Sequence, residues 1–116
     1  MGPFSFPKEE RLLDRSDFVN LNRSGTRYHT KHFIVILKKN ESGITRLGIT
    51  AGKRVGNAVR RNRIKRLIRE FFRLNKANFP KGFDIAVIAK KDASCFDLRR
   101  IEEELGHIVC KTKFRL

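Results

Sequence analysis

Long apolar runs are absent from this 116-residue sequence. Its longest apolar stretches, Phe33–Leu37 and Ile85–Ala89, have five residues each, whereas a helix that crosses a bilayer needs about 20 apolar residues. No basic stretch leads into an apolar segment at the N-terminus, so a secretory signal is not indicated either. The sequence therefore predicts a cytoplasmic protein that has no membrane helix.

Cysteine is scarce, and the acidic residues are few and scattered. The two cysteines, Cys95 and Cys110, stand 15 positions apart and form no CxxC pair, so we expect two reduced thiols without a structural role. No cluster of carboxylates suggests a metal ion held by the protein. His29 and His32 would point to opposite faces of a strand, which argues against a shared metal ion. We therefore expect neither a catalytic residue nor a metal ligand on the protein.

Positive charge is what the sequence has in abundance. Lys and Arg number 27 against 12 Asp and Glu, which gives a formal net charge of +15. The hydrophobic content of 40% argues against a disordered chain, and the length fits one domain over residues 1–116. Because such a surplus repels itself unless a polyanion offsets it, we expect a nucleic acid, an anionic membrane or an acidic protein as partner.

More than half of the surplus lies in residues 53–73, which hold nine basic residues and one acidic residue. Arg61, Lys65, Arg69 and Arg73 follow one another at intervals of four, so neighbouring members of this series carry like charge. On a helix each such pair costs a few tenths of a kcal/mol unless a counter-ion is present. Arg, whose fork binds phosphate, outnumbers Lys in the segment by seven to two. The segment therefore predicts a surface that binds a polyanion.

Periodicity and turn residues predict an alternation of helices and strands. Three helices are predicted. The first begins after Ser16 and ends near Gly25, the second runs from the cap Asn57 to about Asn75, and the third begins near Ser94 or Asp97. The predicted strands are His32–Leu37, Ile44–Ala51 and Phe83–Ala89, of which the last is central and buried. This order predicts an α+β fold, a two-layer sandwich in which three helices pack on one small mixed sheet.

The long basic helix has two different sides. Its apolar residues recur at intervals typical of a side that packs on a sheet: Ile64, Leu67, Ile68, Phe71 and Phe72. A membrane-surface helix would leave that stripe exposed, and a helix-turn-helix protein that binds DNA would have a second helix a few residues away. The basic outer side therefore favours RNA, whose shape and backbone a broad surface can contact.

Several motifs occur together in this chain. Arg46–Ile49 precedes Lys53–Phe72, whose core Arg61-Asn62-Arg63 is followed by Lys65-Arg66 and Arg69-Glu70. In these residues the sequence closely resembles the protein subunit of bacterial ribonuclease P. The resemblance extends to the opening Phe6–Leu12, to Asp17-Phe18 and to Phe83–Lys91, so it covers nearly the whole chain.

The resemblance implies a subunit of a ribonucleoprotein enzyme. In that family a small basic protein binds a large catalytic RNA, and the holoenzyme cleaves precursor tRNA to release the 5′ leader and leave a mature 5′-phosphate end. The RNA performs the hydrolysis with Mg²⁺ on RNA phosphates, and the protein grips the single-stranded leader in a central cleft. The implied partners are therefore the catalytic RNA and precursor tRNA, with no DNA and no membrane.

The resemblance also implies a fold with an unusual feature. Members of the family have a left-handed βαβ crossover, as in the second domain of small-subunit ribosomal protein five. The residues alone would predict a right-handed crossover, because about 98% of such connections are right-handed.

The resemblance assigns RNA-binding roles to individual positions. Phe18 matches a cleft aromatic that can stack on a leader base. The loop cations near the leader match Lys53, Arg54, Lys90 and Lys91. The helix side that faces the cleft matches Arg61, Asn62, Lys65 and Arg69, whereas Arg63 and Arg66 match contacts to the catalytic RNA. The expected RNA-binding set is completed by Arg46, Asn57 and Arg60.

Two positions depart from the family pattern. Many relatives carry a second aromatic residue where this chain has Asn22, and some carry Tyr where it has Ile36. We therefore expect a cleft with fewer aromatic side chains, which leaves the preference for leader bases open.

Two other functions fit the charge and the fold. A structural RNA-binding protein of the ribosome would share both, and only the Arg61-Asn62-Arg63 motif with its flanks separates it from the ribonuclease P subunit. A stand-alone protein nuclease would need a carboxylate cluster, which the sequence lacks.

Overall fold

The computed structural model describes residues 8–12, 15–79, 81–90 and 97–108. Within these residues the helices are α1 (Arg15–Ser24), α2 (Ala58–Leu74) and α3 (Leu98–His107). The strands are β1 (Thr26–His29), β2 (Phe33–Lys39), β3 (Arg46–Ala51) and β4 (Phe83–Ala89). No described helix is both long and apolar enough to cross a membrane. Cys95, Cys110 and Lys91 lie outside the described residues.

The four strands form one mixed sheet in the order β1-β2-β4-β3. Strand β4 pairs antiparallel with β2 and parallel with β3, so the apolar run Phe83–Ala89 is the central strand that its composition predicts. Because β3 and β4 are parallel neighbours, the chain must cross over between them, and α2 makes most of that connection. The left-handedness of this crossover stays a prediction of the resemblance.

One face of the sheet carries the main core. Successive side chains of a strand point to opposite faces, and one alternate set packs against α2 and α3. The strand residues of this core are Phe33, Val35, Leu37, Leu47, Ile85 and Val87. The helix residues are Ile64, Ile68, Phe71 and Phe72 from α2 and Ile101 and Leu105 from α3. The apolar stripe predicted for the long helix is therefore its buried side.

Helix α1 covers part of the opposite face. Leu21 of α1 packs with Leu12 of the preceding segment on Ile36 of β2 and Ala86 of β4. The predicted α+β class is confirmed, but the structure departs from the predicted two-layer arrangement, because helices pack on both faces of the sheet. The sheet has α2 and α3 on one face and α1 on the other.

Helices α2 and α3 have caps at predicted helix starts, Asn57 and Asp97, whereas α1 begins at Arg15 and not after Ser16 as predicted. The side chain of Asn57 accepts a hydrogen bond from the backbone N–H of Arg60 (3.0 Å) at the start of α2. The side chain of Asp97 does the same for Arg100 (3.0 Å) at the start of α3. Each cap satisfies one of the N–H groups that a helix leaves unpaired at its N-terminus.

The strands differ from the sequence prediction in two ways: one strand was missed, and the bounds of two others differ. Strand β1 was not predicted, because Thr26–His29 is a short, largely exposed edge strand without an apolar alternation. Strand β2 runs on to Lys39 because its backbone stays paired with β4 as far as Phe83, although the last side chains are exposed. Strand β3 begins at Arg46, two residues later than predicted.

A polar cluster ties the turn between β1 and β2 to α3. The carboxylate of Glu104 accepts hydrogen bonds from the hydroxyl of Thr30 and from the backbone N–H of His32 (2.8 Å). Its other oxygen lies 2.8 Å from Nδ1 of His32. Burial alone raises the pKa of Glu104, but the hydrogen bonds from Thr30 and His32 outweigh it, so the pKa lies below its ordinary value.

This lowered pKa predicts an acid-sensitive contribution to stability. Because folding lowers the pKa of Glu104, its contribution is present above the unfolded-state pKa, about 4.3, and is lost as the pH falls through the folded value. We expect Glu104→Gln to lower the free energy of unfolding at neutral pH and to flatten its decline below about pH 4.3. Urea denaturation at a series of pH values measures both effects.

Glu103→Gln is the matched control, because Glu103 is exposed and lies 3.5 Å from an exposed Arg99. It should leave the pH dependence nearly unchanged. An unchanged acid dependence in Glu104→Gln would contradict the role given to this carboxylate.

Candidate RNA interface

Most of the basic side chains of residues 53–73 have no acidic neighbour. The single acid of the segment, Glu70, binds Arg73 with two contacts of 2.7 Å, which lower the pKa of Glu70 and raise that of Arg73. Within the described part of the chain, seven other cations of this segment have no acidic group within 4.0 Å. We call them the basic surface: Lys53, Arg54, Arg60, Arg61, Lys65, Arg66 and Arg69. Their charge is therefore available to an external anion.

One end of the sheet gathers three of the predicted loop cations. The carboxyl ends of β3 and β4 lie side by side, because Ala51 is in register with Ala89. Lys53 and Arg54 follow β3 in an exposed 3-10 turn, and Lys90 follows β4. The amine of Lys90 donates to the carbonyl oxygen of Thr30 (2.6 Å), which holds it at this end of the sheet.

A cleft beside β3 brings Phe18 together with two cations of α2. It has a volume of about 240 Å³ and lies along the middle of β3. The residues that line it are Arg11, Leu12, Phe18, Leu47, Gly48, Ile49, Lys65 and Arg69. Phe18 is half-buried and Arg69 is exposed. The cleft therefore combines an aromatic ring with two cations, the groups that bind a base and its phosphates.

Helix α1 leaves part of its sheet face uncovered toward the carboxyl ends of β3 and β4. Thr50, Ile88 and Ile34 stand in register across β3, β4 and β2, one step beyond the row that α1 covers. Thr50 is exposed, and the two isoleucines are half-buried. This row lies between the row of Gly48, on which Phe18 rests, and the carboxyl ends of β3 and β4.

The remaining residues of the Arg-Asn-Arg region lie along the first turns of α2. Asn62 and Arg66 are exposed, and Arg63 is half-buried. Arg61 is also half-buried, and its Nε is buried without a hydrogen-bond partner among the described residues. Asn57 uses its side chain as the helix cap, which makes its first role structural.

Arg46 has acidic partners within the protein, and its expected contact with RNA stays a prediction. Its guanidinium donates to both carboxylate oxygens of Asp84 (2.9 and 2.8 Å) and to Asp17 of α1 (3.3 Å). Hydrogen bonding to Asp84 is the main reason why the pKa of Arg46 lies above its ordinary value. Arg46 also stands at the start of β3, whereas Lys53 and Arg54 follow the end of that strand. It joins α1 to the sheet and does not belong to the basic surface.

Five residues that line the cleft were not among the predicted site residues: Arg11, Leu12, Leu47, Gly48 and Ile49. Gly48 lies directly under Phe18, and Arg11 lines the cleft from the segment before α1. Both residues lie in segments that carry the family resemblance, Arg46–Ile49 and Phe6–Leu12, but a glycine in a strand and an isolated arginine do not by themselves indicate an RNA site. The positions that depart from the family pattern are also explained. Asn22 accepts a hydrogen bond from Arg27 (3.0 Å), and Ile36 is fully buried under α1.

Comparison with known proteins identifies the family. Residues 6–113 match the family described as Ribonuclease P. The chain belongs to the ribonuclease P protein family. It is 49% identical over 111 residues to the ribonuclease P protein component of Desulforapulum autotrophicum, covering 96% of this chain and 95% of that protein. The match supports the ribonuclease P interpretation and not the ribosomal alternative.

Solved structures of the same family share the fold. The RNase P protein from Thermotoga maritima matches with a TM-score of 0.81 at 38% identity, covering 90% of this chain and 98% of that one. The RNase P protein of Staphylococcus aureus matches with a TM-score of 0.78 at 36% identity, covering 85% and 91%. The predicted membership and α+β fold are thus confirmed, whereas the roles of single residues stay predictions.

The contacts of Arg46 predict a loss of stability when it is replaced. Arg46→Ala leaves Asp84, whose side chain is 14% exposed, without its cation. We expect the free energy of unfolding to fall by about 1–3 kcal/mol, measured by urea denaturation. Arg66→Ala removes an exposed cation of the basic surface and should change stability by less than about 0.5 kcal/mol. If Arg46→Ala instead kept full stability and lost only RNA affinity, the structural role of Arg46 would be wrong.

Proposed function

We propose that this ribonuclease P protein binds the 5′ leader of precursor tRNA in the cleft beside β3 and binds the catalytic RNA with the rest of its basic surface. The observation that carries the proposal is the position of Phe18 opposite Lys65 and Arg69 in one cleft. A single-stranded leader offers bases to the ring and phosphates to the cations. Base stacking on an aromatic side chain contributes about 1–3 kcal/mol per base.

The two sides of α2 support two RNA contacts. Lys65 and Arg69 face the cleft, whereas Arg66 is exposed and is not part of the cleft lining. Residues one position apart on a helix point in directions about 100° apart. One RNA strand in the cleft would therefore leave Arg66 free for a second RNA. We assign the outer side to the catalytic RNA.

The chemistry of leader removal is assigned to the RNA subunit. Hydrolysis would use Mg²⁺ ions that RNA phosphates hold, as the family resemblance implies. In the described part of the chain, no three His, Cys, Asp or Glu side chains are grouped to hold a metal ion. We therefore assign no step of the hydrolysis to a metal ion held by these described residues. Their role is to hold the leader and to lower the repulsion between two polyanions.

Reconstitution tests the proposed function. The chain is mixed with a bacterial ribonuclease P RNA and precursor tRNA at low Mg²⁺, and 5′ cleavage is measured. We expect the chain to stimulate cleavage and to bind the catalytic RNA tightly. Neither stimulation nor tight binding would contradict the proposal. Cleavage by the chain alone would support the protein nuclease instead.

The cations of the cleft predict a salt-dependent, leader-dependent affinity. Lys65→Ala and Arg69→Ala should each weaken binding of leader-bearing precursor by the holoenzyme while leaving thermal unfolding unchanged, because neither side chain is in the core. For single strands, each lost phosphate contact should reduce the slope of log affinity against log salt by about 0.7. Fluorescence titration at several salt concentrations measures the slope.

Arg99→Ala is the control, because Arg99 is an 88% exposed cation on α3 whose neighbour is Glu103. It should leave both the affinity and the salt slope unchanged. An equal loss of affinity for leader-bearing precursor and mature tRNA in Lys65→Ala and Arg69→Ala would place these residues outside the leader site.

A further inference from the structure

Gly48 lies in the wall of the cleft, and we propose that it is a positioning residue that seats the ring of Phe18. Because position 48 has no side chain, the ring can lie against the backbone of β3 and present itself beside Lys65 and Arg69. This inference rests on the proposed function, in which Phe18 stacks on a leader base. It adds that a residue without any RNA-binding group determines the affinity for the leader.

The distances leave no room for a side chain at position 48. A Cβ atom placed on Gly48 would lie 2.3 Å from Cζ and 2.7 Å from Cε1 of Phe18. It would also lie 2.9 Å from Cβ of Leu12, which is buried. Contacts this short require the ring to move, because the Leu12 side of the cleft is packed. The glycine is thus required by a close approach and not by its backbone conformation.

The register of the sheet explains how the ring comes to lie there. Gly48, Ala86 and Ile36 stand side by side across β3, β4 and β2 on the face that α1 covers. Leu21 of α1 belongs to the cluster that contains Ile36 and Ala86, and Phe18 precedes Leu21 by one helical turn. The side chains of this row become smaller toward β3. Helix α1 therefore has room for a large ring at the β3 end of the row.

The neighbouring contacts limit where the ring can go. Asp17, the residue before Phe18, is bound to Arg46 of β3 (3.3 Å). Leu21, one turn later, is 1% exposed. With α1 held at both places, a methyl group at position 48 must push the ring out of its seat or lift α1 from the sheet. Either movement changes the spacing between the ring and the cations of α2, and with it the fit of a base and its phosphates.

A double-mutant cycle tests whether Gly48 positions the ring of Phe18. Gly48→Ala, Phe18→Ala and the double variant are assembled with ribonuclease P RNA, and each holoenzyme is titrated with leader-bearing precursor and with mature tRNA. The ratio of the two affinities measures recognition of the leader. Gly106→Ala on α3 is the control, since a Cβ there would meet nothing within 4 Å. Thermal unfolding of every variant is measured in parallel.

We expect Phe18→Ala to lower the affinity ratio by about five-fold or more, the loss of about 1 kcal/mol of stacking. Gly48→Ala should lower the ratio by a similar factor and should also lower the melting temperature. In the Phe18→Ala background, Gly48→Ala should not lower the affinity ratio further, because the ring that it displaces is gone. The melting temperature should fall by less than in the unmodified background, since only the 2.9 Å contact with Leu12 remains. Gly106→Ala should keep the ratio of the unmodified chain.

Two results would overturn the proposal without touching the proposed function. One is an unchanged ratio in Gly48→Ala while Phe18→Ala lowers it, and the other is an equal effect of Gly48→Ala in both backgrounds. An unchanged ratio in Phe18→Ala would instead overturn the leader site itself, and the seat with it. If Gly48→Ala does not fold, unfolding of the double variant decides: recovered folding supports the seat, and no recovery overturns it.

Discussion

The parallel pairing of β3 with β4 is the constraint on which the rest of the structure depends. Parallel neighbours require a crossover, and α2 supplies it with a buried apolar stripe and a basic outer side. The same pairing brings the carboxyl ends of both strands together, so Lys53, Arg54 and Lys90 share one end of the sheet. At the other end it sets Arg46 opposite Asp84. The register thus places three cations at one end of the β3–β4 pair and the ion pair of Arg46 with Asp84 at the other end.

The few acidic residues are used to hold the fold together. Four of the described contacts between an acid and a basic side chain join elements that are distant in sequence: Glu10 with Lys76, Asp17 and Asp84 with Arg46, and Glu104 with His32. None of these acids contacts the basic surface. The like-charge repulsion along α2 is therefore left for an external polyanion to offset, and the apolar core under α2 keeps the helix in place without it.

The features predicted best from the sequence are those that a single segment of the chain determines by itself. The long helix, its Asn57 cap and the central strand follow from periodicity and capping within each segment, and the structure has them where expected. The edge strand β1 was missed because only its pairing with β2 makes it a strand. The ion pairs of Arg46 were not predicted, because its partners, Asp17 and Asp84, stand 29 and 38 positions away. Contacts across such distances leave no local pattern.

The described lining of the cleft has one aromatic ring, that of Phe18, so the contacts that position this ring matter more than they would in a cleft with several rings. Position 22 carries an asparagine bound to Arg27, and Ile36 is buried beneath α1, so neither offers a surface on which a base could stack. Among the described residues that line the cleft, Phe18 is the aromatic one. A cleft with several rings could lose the alignment of one and still hold a strand. With a single ring, the leader recognition that we propose depends on how closely α1 approaches β3, and we infer that Gly48 and the Arg46–Asp17 contact set that distance.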